Sequence, residues 1–211
     1  MKNLLIVLVF TSVVSQTWGA VPNKDNLDFG TQISIAKNIK MPMSARWQAL
    51  QKAAEVAKYN EITEIKKFSS SKEWYMRNAT LVALQKINVN HAIEEAQMLL
   101  KDKALVVRSA AVDILANRYT MENRNLLADE LSKPYNFSRK QSLWIRSKIF
   151  NVIAAKASAD DRSFLTRYLF DTDEKIVRQA ALSLERITDV HLNEKNKVNA
   201  WRDYVKKSGW L

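Results

Sequence analysis

Apolar residues recur at helical spacing along most of the chain. Ile62, Ile65 and Phe68, for example, fall on one face of a helix that begins near Asn60. Polar residues such as Ser69 interrupt the pattern before the next apolar face starts. The same spacing predicts helices at 44–57, 73–87, 106–119 and 174–187, and others that begin at Asn90, Thr120 and Ser158. The pattern therefore predicts an all-α fold.

The scarcity of glycine supports this prediction. The chain has three glycines and three prolines, and no glycine lies between Gly30 and Gly209. Tight hairpin turns favour glycine or asparagine-glycine, because their central residues take a positive φ. We therefore expect helices joined by short polar turns, with no β-sheet.

The helix starts recur at regular intervals. Asn60, Asn90 and Thr120 follow one another at 30 residues, and Ser158 follows after 38. A period in this range is typical of helical solenoids, in which stacked neighbours bury the apolar face that one helix pair leaves open. The sequence thus predicts stacked helix pairs.

The second helices of these pairs align on one arginine each. An apolar residue precedes every arginine and small or apolar residues follow it, which allows close packing of neighbouring helices. The four segments read YMRNATLVALQKI around Arg77, VVRSAAVDILANR around Arg108, WIRSKIFNVIAAK around Arg146 and IVRQAALSLERI around Arg178.

The segments AQMLLKDKALVVRSAAVDIL (96–115) and RSFLTRYLFDTDEKIVRQAALSLERI (162–187) resemble HEAT repeats, in particular the short bacterial type related to phycobilisome-lyase repeats. The resemblance implies an α–α superhelix of about four helix pairs with capping helices. It also implies structural roles for Arg77, Arg108 and Arg178, through an aspartate in the turn of the same repeat. Asp102 matches Arg108, and Asp171 or Asp173 matches Arg178, whereas Arg146 has no matching acid.

The N-terminal residues 1–19, MKNLLIVLVFTSVVSQTWG, have the organisation of a secretory signal peptide. Lys2 precedes an apolar run that is too short to span a membrane, and cleavage is expected after Gly19. We then expect a tail at 20–42, with a short helix at 31–40, and a repeat domain at 43–211. The mature protein would be periplasmic or secreted, without a transmembrane segment.

Composition narrows the chemistry. The chain has 33 basic and 22 acidic residues, a formal charge of +11, and no cysteine. Disulfides, thiol catalysis and cysteine-ligated zinc are therefore excluded. The positive charge favours an anionic partner, and the alternative interpretation is a soluble, self-repelling surface.

The third repeat is longer than the others, and the additional residues lie in KPYNFSRKQSLWIRSK, residues 133–148. Cations and aromatic rings alternate in this segment, a combination that suits phosphates, sugars or acidic peptides. The alternative is a long loop whose aromatic rings fill the core. The candidate binding residues are Lys133, Tyr135, Arg139, Lys140, Trp144, Arg146 and Lys148, of which Lys140, Trp144 and Lys148 would share a helix face.

At the C-terminal end, Trp201, Tyr204 and Val205 have helical spacing and are expected to close the last pair. The alternative is a contact between this basic, aromatic helix and a membrane surface.

Catalytic motifs are not found in the sequence. His91 and His191 have no spaced partner histidine, and no zinc-protease, phosphate-loop or nucleophile-elbow motif occurs. We therefore expect no cofactor, no metal and no catalytic residue. The sequence favours a non-enzymatic scaffold whose concave face binds a protein or an anionic cell-envelope component. The alternative is a lyase-like or nucleic-acid-processing HEAT enzyme or accessory protein, although the export signal disfavours a nucleic-acid partner.

Overall fold

A computed structural model describes residues 28–192 and 196–210. The predicted signal peptide at 1–19 lies outside the described residues. Within them the chain forms eleven α-helices, which are α1 Phe29–Lys37, α2 Met43–Val56, α3 Ile62–Lys66, α4 Trp74–Ile87, α5 Val89–Leu99, α6 Leu105–Asn117, α7 Met121–Glu130, α8 Trp144–Lys156, α9 Arg162–Tyr168, α10 Glu174–Thr188 and α11 Lys197–Lys207. Short 3-10 helices occupy Tyr59–Glu61, Lys67–Ser70, Pro134–Asn136 and Ala159–Asp161. No helix in the described part combines the length and apolarity needed to cross a membrane.

The predicted all-α class is confirmed, but the prediction of no β-sheet is wrong. Strand β1, Phe137–Ser138, pairs antiparallel with β2, Gln141–Ser142, in a hairpin just before α8. The two turn residues, Arg139 and Lys140, have φ values of 49° and 67°. They take the left-handed conformation that hairpin turns require, although neither is glycine.

The helices alternate along the chain between two sets. The first helices are α1, α3, α5, α7 and α9, and the second helices are α2, α4, α6, α8 and α10. Each second helix packs against the next second helix in chain order. The helix α11 follows the last pair and packs on α10.

Neighbouring second helices run parallel. Near the start of α2, Arg46 bonds Glu73 at the start of α4, and near its end Glu55 accepts a bond from Lys86 at the end of α4. Two later pairs of second helices are also joined by residues at equivalent positions. Lys148 of α8 bonds Ser109 of α6, and Arg186 of α10 bonds the carbonyl of Ala154 of α8. The N-terminal ends of the second helices therefore lie side by side at one edge of the molecule.

A single apolar core runs through the stack. Each second helix contributes a large buried side chain to it, and these side chains are Leu50, Leu84, Leu115, Phe150 and Leu184. Alanines at 53, 83, 111, 154 and 180 are also buried, which lets the helices approach closely. Removal of one such leucine side chain typically costs about 2–5 kcal/mol.

Both ends of the stack are covered. The helix α1 lies within the segment predicted as a tail, and it buries Ile33 and Ala36 against α2. At the other end Trp201 and Val205 of α11 are buried, and the Trp201 ring packs edge-on against Tyr204. These helices shield the apolar faces that a terminal pair would otherwise expose to water.

The first and second helices begin differently. The first helices α5 and α7 are capped by the side chains of Asn88 and Thr120, and a capping box at Ser158 precedes α9. Among the second helices of the described chain, α2, α4, α6 and α8 have no side-chain capping bond, whereas Asp173 caps α10. The helix predicted to open at Asn90 begins instead at the cap Asn88.

Candidate binding edge

Buried arginines join the turn of one helix pair to the second helix of the pair before it. Arg77 of α4 forms two bonds to Asp102, through Nε to Oδ2 and through Nη2 to Oδ1 at 2.7 Å. The same guanidinium donates to the carbonyl oxygens of Ser71 and Lys72. Both charged groups are buried, so their hydrogen bonds to water are replaced by hydrogen bonds within the protein. These bonds hold α4 against the turn that precedes α6.

Equivalent contacts recur along the stack, and we call them the arginine ladder. Arg46 bonds Glu73 at 2.6 Å, and Arg146 bonds Asp171 at 2.7 Å. The expectation that Arg146 has no acidic partner is therefore wrong. The acid of each turn pairs with the arginine of the preceding helix pair, because the parallel packing brings that arginine over the next turn.

Hydrogen bonding decides the ionisation of the buried acid at Asp102. Burial by itself raises the pKa of this carboxyl group, but the bonds from Arg77 and from the backbone N–H of Ala104 outweigh it. The net pKa of Asp102 lies below its ordinary value, so the group is a carboxylate at neutral pH.

Arg108 occupies the ladder position that has no carboxylate. It donates to the carbonyl oxygen of Asp102 at 2.5 Å and to that of Tyr135 at 3.3 Å, and it lies 5.4 Å from the centroid of the Tyr135 ring. The Tyr135 hydroxyl donates to Glu130, and burial together with this bond raises the tyrosine pKa. Tyr135 is therefore a support for Arg108 rather than a free binding side chain.

Arg178 does not belong to the ladder, contrary to the structural role expected for it. Its side chain is 66% exposed and bonds only Glu174 of the same helix, at 3.2 Å in the described chain. The predicted partners are engaged elsewhere, since Asp171 binds Arg146 and Asp173 caps α10. In the described residues the element that follows α10 is the single helix α11, which supplies no acid to Arg178.

The ladder changes the charge of the edge where the second helices begin. Glu73, Asp102 and Asp171 are paired with buried arginines, while cations in the turns that precede α2, α4, α6 and α8 are exposed to solvent. These exposed cations form no ion pair within the described residues, and we call them the edge cations: Lys40, Lys72, Lys101, Lys103, Arg139 and Lys140. The edge is consequently positive.

Large apolar side chains stand beside the edge cations. Each of α2, α4, α6 and α8 exposes about half of one such side chain in its first turn. The exposed fractions are 53% for Met43, 46% for Trp74, 44% for Val106 and 50% for Trp144. We call the edge cations and these four residues together the basic turn edge.

A cavity of about 520 Å³ opens at one end of this edge, between the hairpin and the starts of α8 and α10. Lys140, Trp144 and Lys175 line it, together with Asp173 and Glu174. Because Asp173 caps α10 and Glu174 pairs with Arg178, both carboxylates already have structural partners. The cavity therefore presents two ammonium groups without an ionic partner in the described residues, one aromatic ring, and two carboxylates that have structural contacts.

The fold exposes only some of the predicted binding residues in segment 133–148. Arg139, Lys140 and Trp144 lie together on the exposed edge, and Lys133 is partly buried near them. Lys140 reaches Trp144 from the hairpin rather than from the same helix face, because α8 begins only at Trp144.

The remaining predicted residues are engaged inside the protein. Arg146 is buried in the ladder, and Tyr135 supports Arg108. Lys148 bonds both Asp113 and Ser109 of α6 at 2.7 Å, so it is not free to bind a partner. Sequence alone could not exclude these three, because their partners are distant in the chain. Lys148 donates to residues 35 and 39 positions earlier, Arg146 donates to Asp171 in the next turn, and the Tyr135 carbonyl accepts from Arg108, 27 positions earlier.

Two features of the edge were missed in the sequence. Arg46 belongs to the ladder, and its separation of 31 residues from Arg77 equals that between Arg77 and Arg108. The exposed lysines in the turns before α2, α4 and α6 were also missed. One or two cations in a short turn give no signal by themselves, and only their recurrence from turn to turn does.

The two histidines lie away from the basic turn edge. His91 contacts Glu94 in α5, and His191 contacts Glu185 near the end of α10. The described residues contain no group of three side chains able to hold a metal ion. No protein-family model matches the chain, and no curated protein matches it.

Proposed function

We propose that this protein is a non-enzymatic binding module of the cell envelope or the secreted fraction, and that it binds an anionic partner along the basic turn edge. The observation that carries the proposal is the separation of charge at this edge. The acids are paired with buried arginines, whereas Lys72, Lys103, Lys140 and their neighbours are exposed and unpaired within the described chain. Unopposed cations attract anions and accelerate their association.

The exposed face of the second helices is a less suitable surface. Two of its lysines are already paired across neighbouring helices, Lys86 with Glu55 and Lys148 with Asp113. A partner that docked there would have to replace these contacts. The proposal therefore moves the binding site from the expected concave face to the basic turn edge.

A HEAT-like superhelix is the architecture we propose for this module. Ordered contacts between parallel second helices and a recurring buried arginine support it. Three pairings of a turn acid with the preceding arginine join adjacent repeats, and the spacing of 31 residues between the first three arginines agrees with a repeat of that length.

Export is part of the same proposal and rests on the sequence of residues 1–19. Expression of the full chain in a bacterial host, followed by N-terminal sequencing of the soluble product, tests it. We expect a chain that begins at Ala20. A soluble product that still begins at Met1 would refute export by this signal.

Binding is tested with a fluorescent poly-glutamate chain as the anionic probe. The edge variant carries Lys72→Gln, Lys103→Gln and Lys140→Gln. The control variant carries Lys58→Gln, Arg118→Gln and Lys156→Gln, which remove the same charge from exposed positions at the opposite edge. Because one exposed ion pair contributes about 0.2–1 kcal/mol, we expect the edge variant to bind about tenfold more weakly at low salt.

The control variant should bind nearly as tightly as the wild type. Equal losses in the two variants would mean that net charge alone attracts the probe, and the proposed site would then be wrong. Circular dichroism spectra should be identical for all three proteins, because the substituted side chains are exposed.

A further inference from the structure

The basic turn edge combines two kinds of exposed group in one row. Each of four successive second helices begins with a half-exposed apolar side chain, and the turn before each helix carries an exposed cation. Lys40 precedes Met43, Lys72 precedes Trp74, Lys103 precedes Val106 and Lys140 precedes Trp144. This recurrence at four of the five second helices, α2, α4, α6 and α8, makes that part of the edge amphipathic.

We propose that the anionic partner is a lipid surface, and that the protein lies on an anionic membrane with its basic turn edge against the headgroups. This inference rests on the proposed function and specifies its partner. Trp74 and Trp144 enter the interface, while Lys72, Lys103 and Lys140 contact lipid phosphates.

The geometry suits a flat partner. The second helices are parallel with their starts side by side, and packed helices lie about 8–10 Å apart. Four equivalent side chains on four neighbouring helices therefore extend over roughly 30 Å. A membrane can contact the whole row at once, whereas the cavity beside Trp144 serves only one end of it.

The chemistry of the row matches the membrane interface. Tryptophan rings are enriched at the level of the lipid headgroups because they have an apolar body and a polar N–H group. Lysines near an anionic surface gain electrostatic free energy from each charge. Amphipathic surfaces that bear both kinds of residue bind membranes without crossing them.

The hairpin strengthens the argument at the end of the row. Its tip consists of Arg139 and Lys140, both exposed and both with positive φ. Residues other than glycine and asparagine seldom adopt a positive φ. Backbone strain of this kind often marks a functional segment. Here it displays two adjacent cations next to the exposed ring of Trp144.

Co-sedimentation with lipid vesicles tests the inference. The exported form, which begins at Ala20 and so lacks Trp18 and the apolar run of residues 1–19, is mixed with vesicles of phosphatidylcholine, or with vesicles of equal parts phosphatidylcholine and phosphatidylglycerol. We expect binding to the anionic vesicles only, and a loss as salt increases. All variants keep the same N-terminal segment, so differences between them report the substituted edge.

The charge and the apolar row are tested separately. Removal of three cations in the edge variant should lower vesicle binding on the order of 100-fold at low salt, whereas the control variant should bind like the wild type. Trp74→Ala with Trp144→Ala should weaken binding roughly tenfold at every salt concentration. Tyr59→Ala with Met121→Ala is the matched control, since both residues are exposed at the opposite edge.

Quenching by brominated lipids reports the position of the rings directly. We expect bromine in the acyl chains to quench the fluorescence of the bound wild-type protein. In Trp74→Phe with Trp144→Phe the protein should still bind but should lose most of this quenching. Of the other tryptophans in the described residues, Trp201 is buried, and Trp47 and Trp210 are only partly exposed and do not belong to the row.

The outcomes separate this inference from the proposed function. Equal vesicle binding by the edge and control variants would overturn the lipid inference, and so would bound protein whose tryptophans are not quenched. If the protein ignores anionic vesicles but the edge variant loses poly-glutamate binding, the partner is an acidic polymer or protein. The proposed function would then stand without the lipid surface.

Discussion

The first helices begin at one edge of the molecule and the second helices at the other, and the two edges satisfy their turns and helix starts in different ways. Where the first helices α5 and α7 begin, the side chains of Asn88 and Thr120 cap the helix, and a capping box at Ser158 precedes α9. One partly buried ion pair, Arg124 with Asp161, also joins two helix pairs at this edge. Where the second helices begin, buried arginines bind the turns, and α4, α6 and α8 lack side-chain caps within the described chain.

The difference bears on how stability and the proposed binding would be separated. At the capped edge, the polar groups at the surface also stabilise the helices locally. At the basic turn edge, the buried arginines of the ladder and their acids join neighbouring helix pairs. The exposed edge cations make no ion pair within the described residues, so we expect them to contribute little to stability. Substitutions at the two edges should therefore affect stability and binding to different extents.

The largest expected effect is on the ladder. Asp102→Ala leaves Arg77 buried without its carboxylate, and loss of one partner of a buried pair costs about 3–5 kcal/mol. Denaturant unfolding followed by circular dichroism measures this cost. The matched control is Glu174→Ala, which removes the exposed partner of Arg178 and should cost less than about 0.5 kcal/mol. Similar costs in both variants would contradict the distinction between buried and surface pairs.

Acid should weaken the same contacts. The pKa of Asp102 is lower in the folded protein than in the unfolded chain, so the unfolded chain binds protons more readily. The stabilisation by Asp102 is complete above the ordinary carboxyl pKa and is lost as pH falls through the folded pKa, below about pH 5. Unfolding midpoints measured against pH should therefore fall in acid. The fall should be shallower in Asp102→Asn, which has no carboxyl group to protonate there.

A smaller effect is expected from a cap introduced at the basic turn edge. Ala104 is the N-cap residue of α6 and has the extended backbone conformation of capped helices. Ala104→Ser adds the missing acceptor and should stabilise the protein by about 0.5–1 kcal/mol. At the capped edge, Thr120→Ala should cost about 1 kcal/mol. Both changes are measured as shifts in the unfolding midpoint, and a destabilised Ala104→Ser variant would contradict this account of α6.

The smallest effect on stability belongs to the edge variant. Lys72, Lys103 and Lys140 are exposed and unpaired within the described residues, so their replacement by glutamine should change the free energy of unfolding by less than about 0.5 kcal/mol. The same protein should show the large loss of vesicle binding described above. A clear loss of stability would mean that these lysines have a structural role.

The sequence predicted the helices well because burial at helical spacing is a local property. The predicted helix at 73–87 is observed as Trp74–Ile87, and the capping box at Ser158 is present. The ladder partners could not be predicted in the same way. Asp102 is closer in sequence to Arg108 than to Arg77, and only the parallel packing of α4 and α6 shows which arginine reaches it.

The hairpin and the exposed edge escaped prediction for different reasons. Turn rules assign a positive φ to glycine or asparagine, so Arg139 and Lys140 gave no signal of a turn. Trp74 occupies a position where an aromatic residue at helical spacing normally indicates the core. Its exposure follows from its place at the very start of α4, beyond the packed part of the helix.

The ladder also sets an order in which the protein can assemble. Arg77 and Asp102 are 25 residues apart, and Arg46 and Glu73 are 27 apart. During synthesis each arginine leaves the ribosome before its acidic partner, so a helix pair is completed only when the following turn has emerged. We therefore expect the helix pairs to assemble stepwise from the N-terminal end. At each step the most recent second helix carries an arginine whose acidic partner has not yet been synthesised. Arg178 has no acid from a later turn within the described residues and bonds Glu174 of its own helix instead.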